Sequence, residues 1–306
     1  MRAAGKRYGA GMNTLSLLLL GLALLAVLGG WALRWLRHEL TPERLAHPAA
    51  LAPDAQWLRI HSANDKQLAA QWWPASDACG AVVLMHGWGG NGSQLHAAAR
   101  ALHAQGWSVL LPDARCHGRS DDDSFSSLPR FAQDLSASVD WLRTAPQGAS
   151  GQAVVLLGHS VGAAAALLCA TWRNDLSAVI SVSAFAHPEQ VMRRWLAAYR
   201  VPFWPLGWGV NRYIEHVIGH RFDDIAPLHT IARLKLPVLL IHGQQDEVVP
   251  LMCAQQLQAA APHAQTLFCA GRHDGFDDEV ALYANTSRWL QQAVNAPAPT
   301  TGAGPH

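Results

Sequence analysis

Ser160 stands between two glycines in VVLLGHSVGAAAALL, residues 154–168, where an unbroken apolar run meets an alanine-rich one. The pattern G-x-S-x-G arises by chance about once in ten chains of this length, so its weight comes from its setting. A serine hydroxyl becomes a nucleophile only when a base removes its proton and a third group orients the base. Two later stretches supply those types: LLIHGQQDEVVP carries Asp246, and FCAGRHDGF carries His273. Ser160, Asp246, His273 is the chain order nucleophile, acid, base. Asp274 is the rival acid, but neighbouring side chains on an extended loop diverge, which favours Asp246. The transition state also needs hydrogen-bond donors for a developing oxyanion. HGWGG offers the backbone N–H of Trp88, and the helix that starts after Ser160 offers that of Val161. This is the equipment of acyl transfer, which uses neither a metal nor an organic cofactor.

The elements that must position these groups are short apolar runs alternating with helix-like segments. QWLRIHSANDKQLAAQWWP reads as a hairpin turning at Ser62 to Asp65. The runs beginning at Gly80, Trp107, Ala153, Ala178, Pro237 and Thr266 read as strands buried on both faces. Helical patterns at Gln94–Gln105, Leu128–Arg143 and Val161–Arg173 separate them, and a last one covers Asp278–Ala293. Strand and helix in alternation predict a mostly parallel, doubly wound α/β sheet with its functional loops at the carboxyl ends of the strands. All the polar motifs fall at such ends. Residues 187–235, rich in Trp, Tyr, Phe and Arg, are too long for a simple crossover and predict a short cap inserted over the strand ends.

The chain has 306 residues, 50% hydrophobic and 15% charged, enough for one large core. A net charge of +1 with no basic patch excludes a nucleic-acid partner. Met12 to Leu33 is free of charge and long enough as a helix to span a bilayer, with Arg34 and Arg37 closing it. A cleavable signal peptide is the rival reading, since Arg2, Lys6 and Arg7 resemble its charged start. The apolar run exceeds the usual length of a signal peptide and Trp31 interrupts the cleavage-site pattern, so residues 1–38 are read as a single-pass membrane anchor. The basic residues on its two sides balance and leave its orientation open. The division expected along the chain is anchor 1–38, linker 39–55, catalytic domain 56–294 and a disordered tail 295–306. Five cysteines lack any C-x-x-C spacing, so no zinc site is implied, and a Cys253–Cys269 bridge is the one disulfide candidate. His216 and His220, spaced i, i+4, lack an obvious third metal ligand.

Taken together, HGWGG, PDARCHGRS, GHSVG, HGQQDEVVP and GRHDGF resemble the α/β-hydrolase family, in particular its serine aminopeptidase S33-like, lysophospholipase and esterase branch. The resemblance covers roughly residues 56–294. It implies the α/β-hydrolase fold, with Ser160 as nucleophile, His273 as base and Asp246 as orienting acid. Cys116 stands where the family usually has glycine, which bears on the shape of that loop. The expected function is hydrolysis of a hydrophobic, small-molecule acyl ester through an acyl-enzyme intermediate, with the membrane engaged through the N-terminal helix. An aminopeptidase or thioester hydrolase is the alternative enzyme; a peptidase would need a carboxylate for the substrate ammonium, for which the cap offers Glu189, Glu215, Asp223 and Asp224. A catalytically silent, membrane-anchored binding module is the alternative from another class.

Overall fold

The computed structural model describes residues 13–39, 41–48 and 55–295. It falls into two units that divide after Thr41. Among the described residues the first contains one helix, α1 (Thr14–Glu39). Its apolar side chains, Leu15, Leu17, Leu18, Leu19, Leu20, Leu22, Leu24 and Val27 among them, are exposed around the helix rather than packed into a core. Within it, Thr14–Leu36 is 23 residues long with a mean hydropathy of 2.3, about 35 Å of helix. That is long and apolar enough to cross a hydrocarbon core.

The second unit is built on an eight-stranded sheet. The strands are β1 (Gln56–Ser62), β2 (Lys66–Trp73), β3 (Gly80–Met85), β4 (Trp107–Pro112), β5 (Ala153–His159), β6 (Ala178–Val182), β7 (Val238–Gly243) and β8 (Gln265–Cys269). Their order across the sheet is β1, β2, β4, β3, β5, β6, β7, β8. The hairpin strands β1 and β2 run antiparallel to each other and β2 runs antiparallel to β4; every pairing from β4 through β8 is parallel. Every residue of β3, β4 and β7 is buried, as expected of continuous apolar strands covered on both faces.

One face packs on α2 (His96–His103) and α10 (Glu279–Asn295), where Val82, Leu84, Val155, Leu157, Ile180 and Ile241 meet Ala99, Leu102, Leu282 and Leu290. On the other side α3 (Leu128–Thr144) packs on α4 (Val161–Ala170), all ten of whose residues are buried, and α9 (Leu251–Ala260) packs on β7. A short 3-10 turn, Gly92–Leu95, precedes α2 in place of the continuous helix expected from Gln94. Asn91 caps it, its side-chain oxygen accepting from the Ser93 N–H at 3.0 Å.

Between β6 and β7 lie four short helices, α5 (Pro188–Ala198), α6 (Trp208–Ile218), α7 (Phe222–Ile225) and α8 (Pro227–Ile231), in the segment where the sequence predicts a cap. Gly219, at φ 74°, ends α6 between His216 and His220. The i, i+4 spacing of those two histidines therefore does not place them on one helical face. All five cysteines are free, so the Cys253–Cys269 candidate bridge is not formed. The 39–55 segment is not a free linker throughout: Pro42 opens the second unit, and residues 44–47 hydrogen-bond to it. Residues 49–54, the basic residues at positions 2, 6 and 7 and the expected tail beyond Asn295 lie outside the described residues.

Candidate active site

β5 delivers its last residue, His159, to the edge of a sharp turn, and Ser160 takes φ 56° and ψ −119° before α4 begins. A non-glycine residue in that region is strained, and the strain persists only because the strand and the helix hold both ends of the turn. Close packing is part of that hold. A side chain at Gly162 would approach the Met85 and His86 carbonyl oxygens to 2.4 Å, so only glycine lets α4 sit against the end of β3. The Gly87–Trp88 peptide lies beside this turn, since a Cβ on Gly87 would stand 3.3 Å from the Ser160 Cβ. Among the described residues, neither the Trp88 nor the Val161 backbone N–H donates to a protein acceptor. Free N–H groups beside a half-buried serine can receive a negatively charged oxygen.

Asp246 and His273 come together from the loops after β7 and β8. His273 Nδ1 lies 2.8 Å from Asp246 Oδ2. A carboxylate only accepts, so Nδ1 carries the proton and Nε2 is left with its lone pair. The other oxygen, Oδ1, accepts from the N–H groups of Val248 at 2.9 Å and Val249 at 2.7 Å. Burial opposes ionisation of Asp246, but the His273 and Val249 hydrogen bonds and the nearby imidazoles outweigh it and hold the carboxyl below its usual range. Asp274 does not compete for Nδ1: its side chain is 83% exposed and its nearest approach, 4.0 Å, is to His159.

Several residues with no role in the sequence reading hold these loops. His159 Nε2 donates to the His273 carbonyl at 2.7 Å, and the two rings lie 4.8 Å apart. Burial pushes the His159 imidazole below its usual value, keeping it neutral. Gln245 accepts from the Gly271 N–H through Oε1 at 2.6 Å and donates its own N–H to the Gly271 carbonyl at 2.9 Å. On the other side of the serine, His86 Nδ1 donates to the Gly87 carbonyl at 2.7 Å, while its Nε2 accepts from the Ala114 N–H at 3.0 Å. His117 accepts from the Gly89 N–H at 3.1 Å, and Asp113 accepts from the Gly92 N–H at 2.9 Å. His117 is driven by burial and by the neighbouring His86 down to about 3, so it keeps the lone pair that Gly89 needs. Their only sequence signal was position: His159 and Gln245 directly precede Ser160 and Asp246, and Asp113 and His117 belong to PDARCHGRS. Cys116, where the resembling family has glycine, adopts φ 66°, the backbone region glycine favours, and its sulfur accepts from the Asp123 N–H at 3.2 Å.

A cleft of about 430 Å³ opens beside His273, lined by Val248, Phe276, Arg272 and Glu247 among others. Two groups among the described residues bring three metal-ligand atoms close together: His159, His273 and Asp274, and His187, Asp223 and His229. In each, a histidine proton is already committed. His159 Nε2 donates to a carbonyl, and His187 accepts from the Glu189 N–H at Nδ1, so its Nε2 proton faces Asp223 at 3.0 Å.

Residues 76–216 match the family model described as serine aminopeptidase, S33. In its fold, in the turn at Ser160 and in this match over just under half of its length, the chain is similar to the α/β hydrolases. It is 30% identical to the uncharacterized protein YqkD of Bacillus subtilis over 177 residues, 55% of this chain and 56% of that one. It is 25% identical to the monoacylglycerol lipase of Mycolicibacterium smegmatis over 214 residues, 59% of this chain and 75% of that one. The chain thus spans little more than half the length of YqkD. The esterase Pf2001 of Pyrococcus furiosus shares the fold, with a TM-score of 0.66 at 18% identity over 83% of this chain and 98% of the esterase.

Proposed function

We propose that the chain is a serine hydrolase that cleaves hydrophobic acyl esters, with Ser160 as nucleophile, His273 as general base and acid, and Asp246 as the group that orients His273. The observation that carries this reading is the tautomer imposed at 2.8 Å by Asp246 Oδ2 on His273 Nδ1, which frees Nε2 to take a proton, in a loop that His159, the residue before Ser160, holds through the His273 carbonyl at 2.7 Å. Ser160 Oγ attacks the ester carbonyl carbon as its proton passes to His273 Nε2. The N–H groups of Trp88 and Val161 hold the negative oxygen of the tetrahedral intermediate. The intermediate collapses, the alcohol leaves with the proton from His273, and Ser160 keeps the acyl group. A water molecule, deprotonated by His273, then attacks the acyl-enzyme and releases the carboxylic acid.

An ester suits the site better than a peptide N-terminus. A substrate ammonium needs an available carboxylate, and three of the four cap acids are engaged: Glu189 pairs with Arg193 at 2.7 Å, Glu215 with Arg212 at 2.8 Å, and Asp223 with His187 at 3.0 Å, which leaves the exposed Asp224. The lipase and esterase relatives support the same substrate class. The outward-facing apolar side chains of Thr14–Leu36 support a single-pass anchor, which would hold the enzyme where hydrophobic esters concentrate. Labelling of the purified chain by a fluorophosphonate, and turnover of a panel of acyl esters of increasing chain length, tests the reading. Labelling that survives Ser160→Ala, or no turnover of any ester, contradicts it.

A further inference from the structure

Residues 44–47, between the apolar helix and β1, lie along the loops that follow β3 and β4. The Arg44 guanidinium donates to the carbonyls of Gly118 at 2.7 Å and Ser120 at 2.8 Å and pairs with Asp122 at 2.6 Å. The Leu45 carbonyl accepts from Asn91 Nδ2 at 3.0 Å. His47 goes deepest: its side chain is 2% exposed, and its Nε2 lies 2.7 Å from Oδ2 of the fully buried Asp113. The Trp57 ring meets it edge-on at 4.8 Å.

Asp113 thereby ties two segments together. Its Oδ1 accepts from the Gly92 N–H, and its Oδ2 accepts from His47 and from the Arg119 N–H at 2.8 Å. A buried carboxylate must have its lone pairs satisfied, so withdrawing the His47 donor draws Asp113 toward other donors and slackens its hold on Gly92. Gly92 ends the loop that carries Trp88. With Asn91 held by the Leu45 carbonyl, the same loop is gripped from this segment at two adjacent residues.

We propose that residues 44–47 form a strap that sets the geometry of the oxyanion loop, with His47 as a positioning residue for the step in which charge develops on the substrate oxygen. The proposal rests on the hydrolase reading above. A donor that engages only in the transition state acts on kcat rather than on KM, and its effect falls steeply with displacement. The segment that joins the apolar helix to the domain is then also part of the catalytic scaffold.

The test uses the full chain carrying His47→Ala or His47→Gln, with p-nitrophenyl butyrate as substrate and hydrogen–deuterium exchange across residues 87–92. His47→Ala is expected to lower kcat about tenfold with KM within about twofold of the parent. It is also expected to speed exchange at 87–92 while β5 and α4 stay protected. His47→Gln, whose side-chain amide can donate to Asp113, is expected to recover most of both. The strap is overturned by unchanged kcat and exchange in His47→Ala, by exchange that rises equally across the domain, or by a glutamine no better than alanine. If the parent turns over no more ester than Ser160→Ala, the hydrolase reading fails instead, and the exchange at 87–92 alone decides whether the strap holds the loop.

Discussion

His273 Nδ1 and Asp246 Oδ2 meet at 2.8 Å across a pair of loops 27 residues apart in sequence, with both side chains almost fully shielded from water. The contact fixes which imidazole nitrogen keeps its proton. It is also braced from outside: His159 holds the carbonyl of His273, and the Val248 and Val249 N–H groups hold the far oxygen of Asp246.

Replacing that acid should separate orientation from bond making. Asp246→Asn presents an amide that can donate to Nδ1 and so favours the wrong tautomer. Its kcat is expected to fall by about a thousandfold to ten-thousandfold, less than the loss in Ser160→Ala. Steady-state kinetics on one ester checks the ranking; an Asp246→Asn enzyme within tenfold of the parent would point to another acid, with Asp274→Asn as the comparison.

The tight seat of α4 against β3 predicts a steric penalty at Gly162. An added Cβ meets backbone oxygens at 2.4 Å, and backbone yields less readily than a side chain. Gly162→Ala should cost about 1–3 kcal/mol by overpacking and lower the melting temperature by several degrees. Gly209→Ala, with nothing within 4 Å of the new Cβ, is the control and should not destabilise. Thermal melts of both variants decide the point.

Much of the positioning was legible in the sequence, and the reasons differ by element. Strands such as AVVLLG declare themselves because burial on both faces demands an unbroken apolar run. Ser160, Asp246 and His273 are legible because each follows such a run. The bracing residues are not: His47 and Asp113 lie 66 residues apart, and no periodicity signals a contact made between two loops. The contacts of residues 44–47 are hidden for the same reason, since prolines and polar residues look like a linker whether or not a buried histidine pins them.

Buried neutral histidines predict a dependence of stability on acid. Burial depresses the pKa of His86 and of His117, the latter to about 3. Because the folded state binds fewer protons than the unfolded one between about pH 3 and 6.5, stability is full above the unfolded histidine value and falls as pH drops below it. Urea unfolding at pH 7, 6 and 5 should show falling stability with net proton uptake on unfolding. A flat profile over that range would contradict the neutral, buried state of these rings.

If the helix is an uncleaved anchor, expression of the full chain should give protein of undiminished mass that resists alkaline extraction from membranes. Deleting residues 1–38 should release it. A shortened, soluble product from the full-length chain would instead mark the segment as a cleaved signal sequence.

The most direct measurement is the covalent labelling of one residue. Incubation of the full chain with a fluorophosphonate, followed by peptide mass mapping, should place a single adduct on Ser160, with labelling lost in Ser160→Ala and strongly slowed in His273→Ala, since attack needs both the hydroxyl and its base. An adduct on any other residue, or a Ser160→Ala chain that labels and turns over ester like the parent, would contradict the account.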